Sequence, residues 1–377
     1  MSLASDLATW AATLVPTAED LELADRSLLD TLAVTVAARG HDVERLVSGL
    51  PEVSRWSALG HVLDFDDLHM ESTSHVSVVC VPATLAVGGG ARAYLAGAGV
   101  MARLGGALGW THYSRGWHAT CTAGAPAAAA AAAVALGLDV DGIATAIALA
   151  VPAAGGVQRS FGTSAKSLQV GFAAEAGVRA ARLAAAGASA DAAAVDQWFD
   201  LVGGDPGRLS LAGPAVPGGL AIKVFPCCYA LQRPISSVRD LPGPGVDAAS
   251  VVSIRARTPA DTVQPLIHSR PRTGLEAKFS LEYSLAAAIL DGTPGFDSFT
   301  DEAVARPEAK ALVDRVQVTT TPGGGWLLAG EFDLEIQTDD GSTLRTSMSL
   351  PRRPNFRANS PQPVDHAHEC SLCDSRR

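Results

Sequence analysis

The sequence predicts an α+β protein in two parts: an all-α helical domain over residues 1–215, then a smaller α+β domain over residues 216–350. Three observations point there. Alanine-rich apolar runs with helical spacing and no period-two alternation fill the first part. The segment Gly213-Pro214-Ala215-Val216-Pro217-Gly218-Gly219 then breaks that pattern with closely spaced turn formers. After it, short β-branched runs interleave with helical ones, the order expected of an α+β unit. A chain of 377 residues is long enough for two cores.

Taken in order, Thr17-Ala18-Glu19-Asp20 reads as a capping box opening a helix over Leu21 to Ala38. Further alanine-rich helices are expected near 78–104, 120–137, 141–154 and 167–187, each bounded by Gly, Pro or Asp. Strands are expected over Val251–Arg257, Val316–Thr321, Glu331–Gln337 and Thr343–Leu350. Asp339-Asp340-Gly341 supplies a hairpin turn between the last two. Helical segments near 275–291 and 300–314 lie between the strands. Residues 351–377 form a polar, proline-containing tail, expected to be poorly ordered.

With 47% hydrophobic and 18% charged residues the chain can bury a sizeable core, and because the apolar surplus is mostly alanine the helices should pack closely. The formal net charge of −10 argues against nucleic acid as a partner. It leaves room for an anionic small molecule, since local charge can oppose the global one. The run Ala119–Leu138 could span a bilayer by length, but its alanines, Thr120, Thr122, Gly124 and Pro126 make a buried helix the expectation, with no membrane partner. No signal peptide is read, and the six cysteines lack the spacing of a disulfide scaffold, so a reducing cytoplasm is expected.

Lysine occurs four times against twenty-five arginines. Lys166, Lys223 and Lys278 sit in apolar contexts, whereas Lys310 reads as solvated helix surface. Arginine holds its proton almost permanently, while a desolvated ammonium can release one. Three polar groups also stand just before apolar helices: His75 in His75-Val76-Ser77, His118 in His118-Ala119-Thr120, and Lys166 in Lys166-Ser167. At a helix N-terminus the macrodipole favours anions and disfavours cations. Histidines there should tend toward neutral forms and a lysine toward a lowered pKa, which suits proton transfer beside a bound carboxylate. Taken singly, each histidine reads as well as a capping or core group, and Asp64-Phe65-Asp66-Asp67-Leu68-His69 as a cap, a solvated loop or a divalent-metal site.

Together these stretches resemble the MmgE/PrpD family, which includes 2-methylcitrate dehydratase, cis-aconitate decarboxylase and an iminodisuccinate epimerase. The resemblance runs from about residue 18 to 350 and is carried by five pieces in family order. They are Leu63-Asp64-Phe65-Asp66-Asp67 with His75-Val76-Ser77, Gly116-Trp117-His118, Gly162-Thr163-Ser164-Ala165-Lys166, Lys223-Val224-Phe225-Pro226, and Glu276-Ala277-Lys278-Phe279-Ser280 leading to Tyr283. The resemblance implies a helical domain capped by an α+β lid, an active site between them, and a homodimer. It implies a lyase that dehydrates or decarboxylates a di- or tricarboxylate with no metal or organic cofactor. It places His118, His75, Lys166, Lys223 and Tyr283 in catalysis, with His118 or His75 as base and Tyr283 donating a hydrogen bond from the lid. Asp64, Lys166 and Lys223 would line the substrate, and Cys228, which departs from the family pattern, would join them there, serve as acid or base, or merely pack.

Several positions depart from the family pattern. Val76 stands where the family often carries proline, as does Ala119, and Cys227-Cys228-Tyr229 occupies a stretch where many members place a histidine. The segment between Arg39 and Trp56 is contracted, and the tail from Pro351 replaces the closing helices. These changes keep open an epimerase working from two bases, and a catalytically degenerate carboxylate-binding protein. His366, His368, Glu369, Cys370 and Cys373 in the tail are ligand types for zinc, but terminal disorder is the stronger expectation there.

Overall fold

A computed structural model describes residues 2–243 and 245–350. The first part is built of ten helices: α1 (Leu3–Thr13), α2 (Ala18–Ala37), α3 (Asp42–Leu46), α4 (Glu52–Val62), α5 (Ser77–Leu85), α6 (Ala91–Ser114), α7 (Ala119–Ala135), α8 (Val140–Ala150), α9 (Ser164–Ala185) and α10 (Ala194–Leu201). The second part adds α11 (Gln232–Arg239), β1 (Val251–Pro259), α12 (Gly274–Ala277), α13 (Leu281–Asp291), α14 (Asp301–Ala305), α15 (Pro307–Asp314), β2 (Val316–Thr321), β3 (Phe332–Thr338) and β4 (Thr343–Met348). An all-helical part followed by a smaller α+β part is the fold class expected above. The polar tail and its His/Cys run lie outside the described residues.

The capping box at Thr17 forms as read: Asp20 N–H donates to Thr17 Oγ1 at 3.2 Å and Thr17 N–H to Asp20 Oδ2 at 2.9 Å. The single helix expected over 78–104 divides instead. Gly88-Gly89-Gly90 ends the first segment, with Gly88 at φ 73°, and α6 then runs on to Ser114. Helices α1 and α4 were not anticipated. The core side of α4 carries Ser54, Ser57, Gly60 and His61 among Val53, Ala58, Leu59 and Val62, so its buried face mixes polar with apolar residues.

Helix α7 is buried from Ala119 to Val134, apolar all round, and forms the axis about which α5, α6, α8 and α9 pack. Small residues let these backbones approach. A Cβ placed on Gly177 of α9 would stand 2.4 Å from Ala128 Cβ and 2.6 Å from the Ala125 carbonyl. The alanine run expected to be a buried helix is one, and no helix among the described residues is long and apolar enough to cross a membrane.

The sheet has the order β2-β1-β3-β4, with β1 parallel to β2 and antiparallel to β3. Asp339-Asp340-Gly341 makes the β3–β4 turn, with Gly341 at φ 82°. Ile254, Ala256, Phe332, Leu334 and Ile336 face inward with side chains of α11, α13 and α15. The other face is solvated and laced by Glu335 between Arg255 and Arg345.

Two large cores result. One fills the helical part; the other is centred on Phe225, Leu231, Ile254, Phe279, Leu285 and Ile336. Leu68 and Phe161 belong to the second core although their chain segments lie in the first part. That crossing marks the seam where the polar residues collect.

Candidate active site

Helix α4 ends at His61–Val62, and the chain turns sharply through Asp64, whose φ of 52° is left-handed. Aspartate tolerates that conformation better than most side chains. The turn aims the Asp64 carboxylate into the seam, where two ammonium groups meet it. Lys166 Nζ, from the first turn of α9, donates to Asp64 Oδ1 at 3.0 Å. Lys223 Nζ, from the segment between α10 and α11, donates to the same oxygen at 3.1 Å and to the Asp64 carbonyl at 2.7 Å.

Histidines complete the cluster. Lys166 Nζ lies 2.6 Å from His61 Nε2, and His61 Nδ1 lies 2.7 Å from Asp66 Oδ2. An ammonium only donates, so His61 accepts at Nε2 and carries its proton on Nδ1, which donates to Asp66. His75 lies between the two carboxylates, its Nε2 3.8 Å from Asp64 Oδ1 and its Nδ1 3.1 Å from Asp66 Oδ2. The latter approach is out of line for a hydrogen bond, which leaves His75 Nδ1 without one. His118 precedes α7, stacks on the His61 ring with centroids 5.6 Å apart, and meets Phe161 edge-on. Its backbone N–H donates to Gly156 O at 3.0 Å, a close approach that fits glycine, because a Cβ there would lie 2.7 Å from Cys121 Cβ. Phe161 and Phe279 flank the Lys166 ammonium.

All of these groups are buried, and their charges set one another. Burial alone would raise the Asp64 carboxyl, but Lys166 and then Lys223 hold it well below the usual carboxylate range. Asp66 is likewise held far down, against its burial, by His61 and His75. Burial pushes His61 down to about 4, and burial together with Lys166 pushes His118 well below the ordinary imidazole value. Both rings are therefore neutral at pH 7. Lys223, despite burial, is raised by Asp64 and Asp66 and keeps its proton.

The structure thus brings together five of the sequence-derived candidates: Asp64, His75, His118, Lys166 and Lys223. Cys228 is buried beside them, its backbone N–H on the Lys278 carbonyl and its thiol pushed up to about 12 by burial and then Asp64. Tyr283 is not brought to the cluster. Its hydroxyl donates to the Ser298 carbonyl at 2.6 Å and its ring packs edge-on to Phe299, because α13 turns it into the core of the second part.

His118 heads α7 as expected, and burial and then the Lys166 ammonium lower its value. Lys278 is a further buried lysine, pushed down to about 8 chiefly by burial, with its ammonium on the carbonyls of Leu63 at 2.9 Å and Pro226 at 2.8 Å.

The candidates drawn from the sequence omitted His61 and Gln169, and gave Asp66 and Lys278 no place in catalysis or substrate binding although both stood in stretches singled out there. His61 stands three residues before Asp64, and Asp66 two after, so the carboxylate pair and its histidine share one local turn. That spacing was the available signal. Gln169 lies one turn beyond Lys166 on α9, and its amide meets His118 Nδ1 at 2.6 Å.

His61, Asp64, Asp66 and His75 offer ligand atoms within 4.8 Å of one another. They fit a divalent cation poorly, because both ammonium groups already bond Asp64 Oδ1 and Lys166 occupies the gap between His61 and Asp64. The cavity bounded by His61, Asp64, Lys166, Lys278 and Phe279 is about 10 Å³, room for one water at most.

A family model described as the MmgE/PrpD N-terminal domain matches residues 55–200, and one described as the MmgE/PrpD C-terminal domain matches residues 225–353. No curated protein matches the chain.

Proposed function

The chain belongs to the MmgE/PrpD family, whose members are generally lyases or related enzymes, and we propose that this one dehydrates or decarboxylates a di- or tricarboxylate without metal or organic cofactor. One observation carries the reading: two buried lysines share a single carboxylate oxygen of Asp64, and one of them meets the neutral His61. A substrate carboxylate presents the same charge and geometry as Asp64 and can take over either ammonium.

Within that reading His75 is the base. Its Nε2 faces the two lysines past Asp64, and Asp66 stands beside Nδ1 to support the imidazolium that forms. As His75 takes the proton next to a substrate carboxylate, negative charge spreads onto that carboxylate as an aci-form. Lys223, whose proton is tightly held, stays cationic and opposes that charge. Lys166 protonates the departing hydroxyl, which leaves as water, and the proton on His75 then restores the ammonium. Where carbon dioxide leaves instead, the same ammonium protonates the carbanion. Asp64 Oδ2 and Asp66 Oδ1 are buried acceptors without a donor, and a substrate hydroxyl would supply one.

The cavity is smaller than any dicarboxylate, so the reading requires the two parts to separate along the seam for substrate to enter. It also takes the active form to be a homodimer. The exposed Leu21, Leu28, Leu29, Leu85 and Phe172 on the helical part support that, and light scattering tests it. Purified protein mixed with a panel of di- and tricarboxylates in chelator-treated buffer should release water or carbon dioxide, followed by proton NMR. Binding of the panel without turnover would contradict the proposal.

A further inference from the structure

His118 and its two polar neighbours carry more information than their proximity to the cluster. Gln169 Oε1 accepts from Val157 N–H at 3.1 Å, and Gln169 Nε2 approaches the Val157 carbonyl at 3.4 Å. A backbone N–H only donates and a backbone carbonyl only accepts, so the amide orientation is fixed twice over. The group that meets His118 Nδ1 at 2.6 Å is therefore the NH₂, a donor. The other neighbour of Nδ1 is the Cys121 thiol at 3.4 Å, which burial keeps protonated and so also able to donate. Both groups demand a lone pair on Nδ1. A neutral imidazole with a lone pair there carries its proton on Nε2.

We propose that His118 enters the reaction as a neutral donor through Nε2–H, directed at charge developing on the substrate carboxylate, and that Gln169 is the positioning residue that fixes this tautomer. The proposal rests on the reading of the site as a carboxylate lyase. It removes His118 from the role of base, since Nε2 already bears a proton and has no lone pair to offer, and protonation at Nδ1 would give an imidazolium. That imidazolium would be buried beside Lys166, with its Nδ1–H directed at the NH₂ of Gln169. The base is then His75, whose ring nitrogens face carboxylates instead of donors.

The test is a long-range proton–nitrogen correlation spectrum of histidine-labelled wild-type protein at pH 7, with His118→Asn locating the signal. We expect the proton of His118 on Nε2; a proton on Nδ1, or on both nitrogens, overturns the proposal. Gln169→Glu puts an acceptor at Nδ1 and should move the proton there, lowering kcat by about a hundredfold or more while KM changes little. Unchanged kcat in Gln169→Glu, with the proton moved, overturns the catalytic part. If that variant fails to fold, the wild-type spectrum still decides the tautomer. Because the spectrum needs no turnover, a wrong tautomer and a wrong reaction are told apart.

Discussion

Asp64 is the residue on which the site depends, since its charge is tolerated in the interior only through the two lysines. Removing one partner of a buried ion pair typically costs about 3–5 kcal/mol, most of it the burden of the charge left behind. Lys223→Met should lower stability to urea by that amount, and the double variant Asp64→Asn/Lys223→Met should recover a good part of it. A loss under about 1 kcal/mol in the single variant would mean that Asp64 is not compensated as described. Asp30 of α2 poses the opposite case. Its Oδ2 is buried without a partner, and burial followed by Asp67 and Asp66 pushes the carboxyl up to about 7. A raised carboxyl contributes stability that is complete below its unfolded value near 4 and is lost as pH rises through about 7. The stability gained by Asp30→Asn should therefore grow from pH 4 to pH 7 and level off above, by on the order of 4 kcal/mol, about 1.4 kcal/mol for each of the roughly three pH units between the two values. A difference that does not vary with pH would exclude this origin.

At the scale of the elements, close approach by small residues holds the helical part together. Gly177→Ala sets a methyl against Ala128 and the Ala125 carbonyl and should cost about 1–3 kcal/mol, read from the urea midpoint. An unchanged midpoint would show that α7 and α9 are looser than described. This packing also decides how much was legible in the sequence. The helices of the alanine-rich part and the α2 cap could be read because their signals are local. Helix α4 could not, since its buried side interleaves Ser54, Ser57, Gly60 and His61 with Val53, Ala58, Leu59 and Val62. The same mixing of polar with apolar residues hid His61 as a site residue. Asp64, His75, His118, Lys166 and Lys223 were each legible as unusual groups at element ends, but their meeting depends on long-range packing. Tyr283 shows the converse: its place in a motif did not determine which way α13 would turn its ring.

For the whole molecule, the position of the cluster beneath the seam means that access and chemistry are coupled. Leu68 and Phe161 lend apolar surface to the core of the second part, and Lys278 and His268 tie that part to the Leu63 and Phe161 carbonyls. A bound polycarboxylate held by Lys166 and Lys223 should tighten this closure. Hydrogen exchange across residues 161–166 and 264–279 should then slow when citrate-like ligands are added; equal rates with and without them would separate binding from closure. The most direct test of proton transfer beside a lysine-held carboxylate is turnover in deuterated water with chelator present, following the substrate carbons by NMR. Wild-type protein should lose water or carbon dioxide from a polycarboxylate, and His75→Ala should lose that activity by orders of magnitude. Deuterium entering next to a carboxylate with every carbon and oxygen retained would contradict the lyase and make the protein an epimerase.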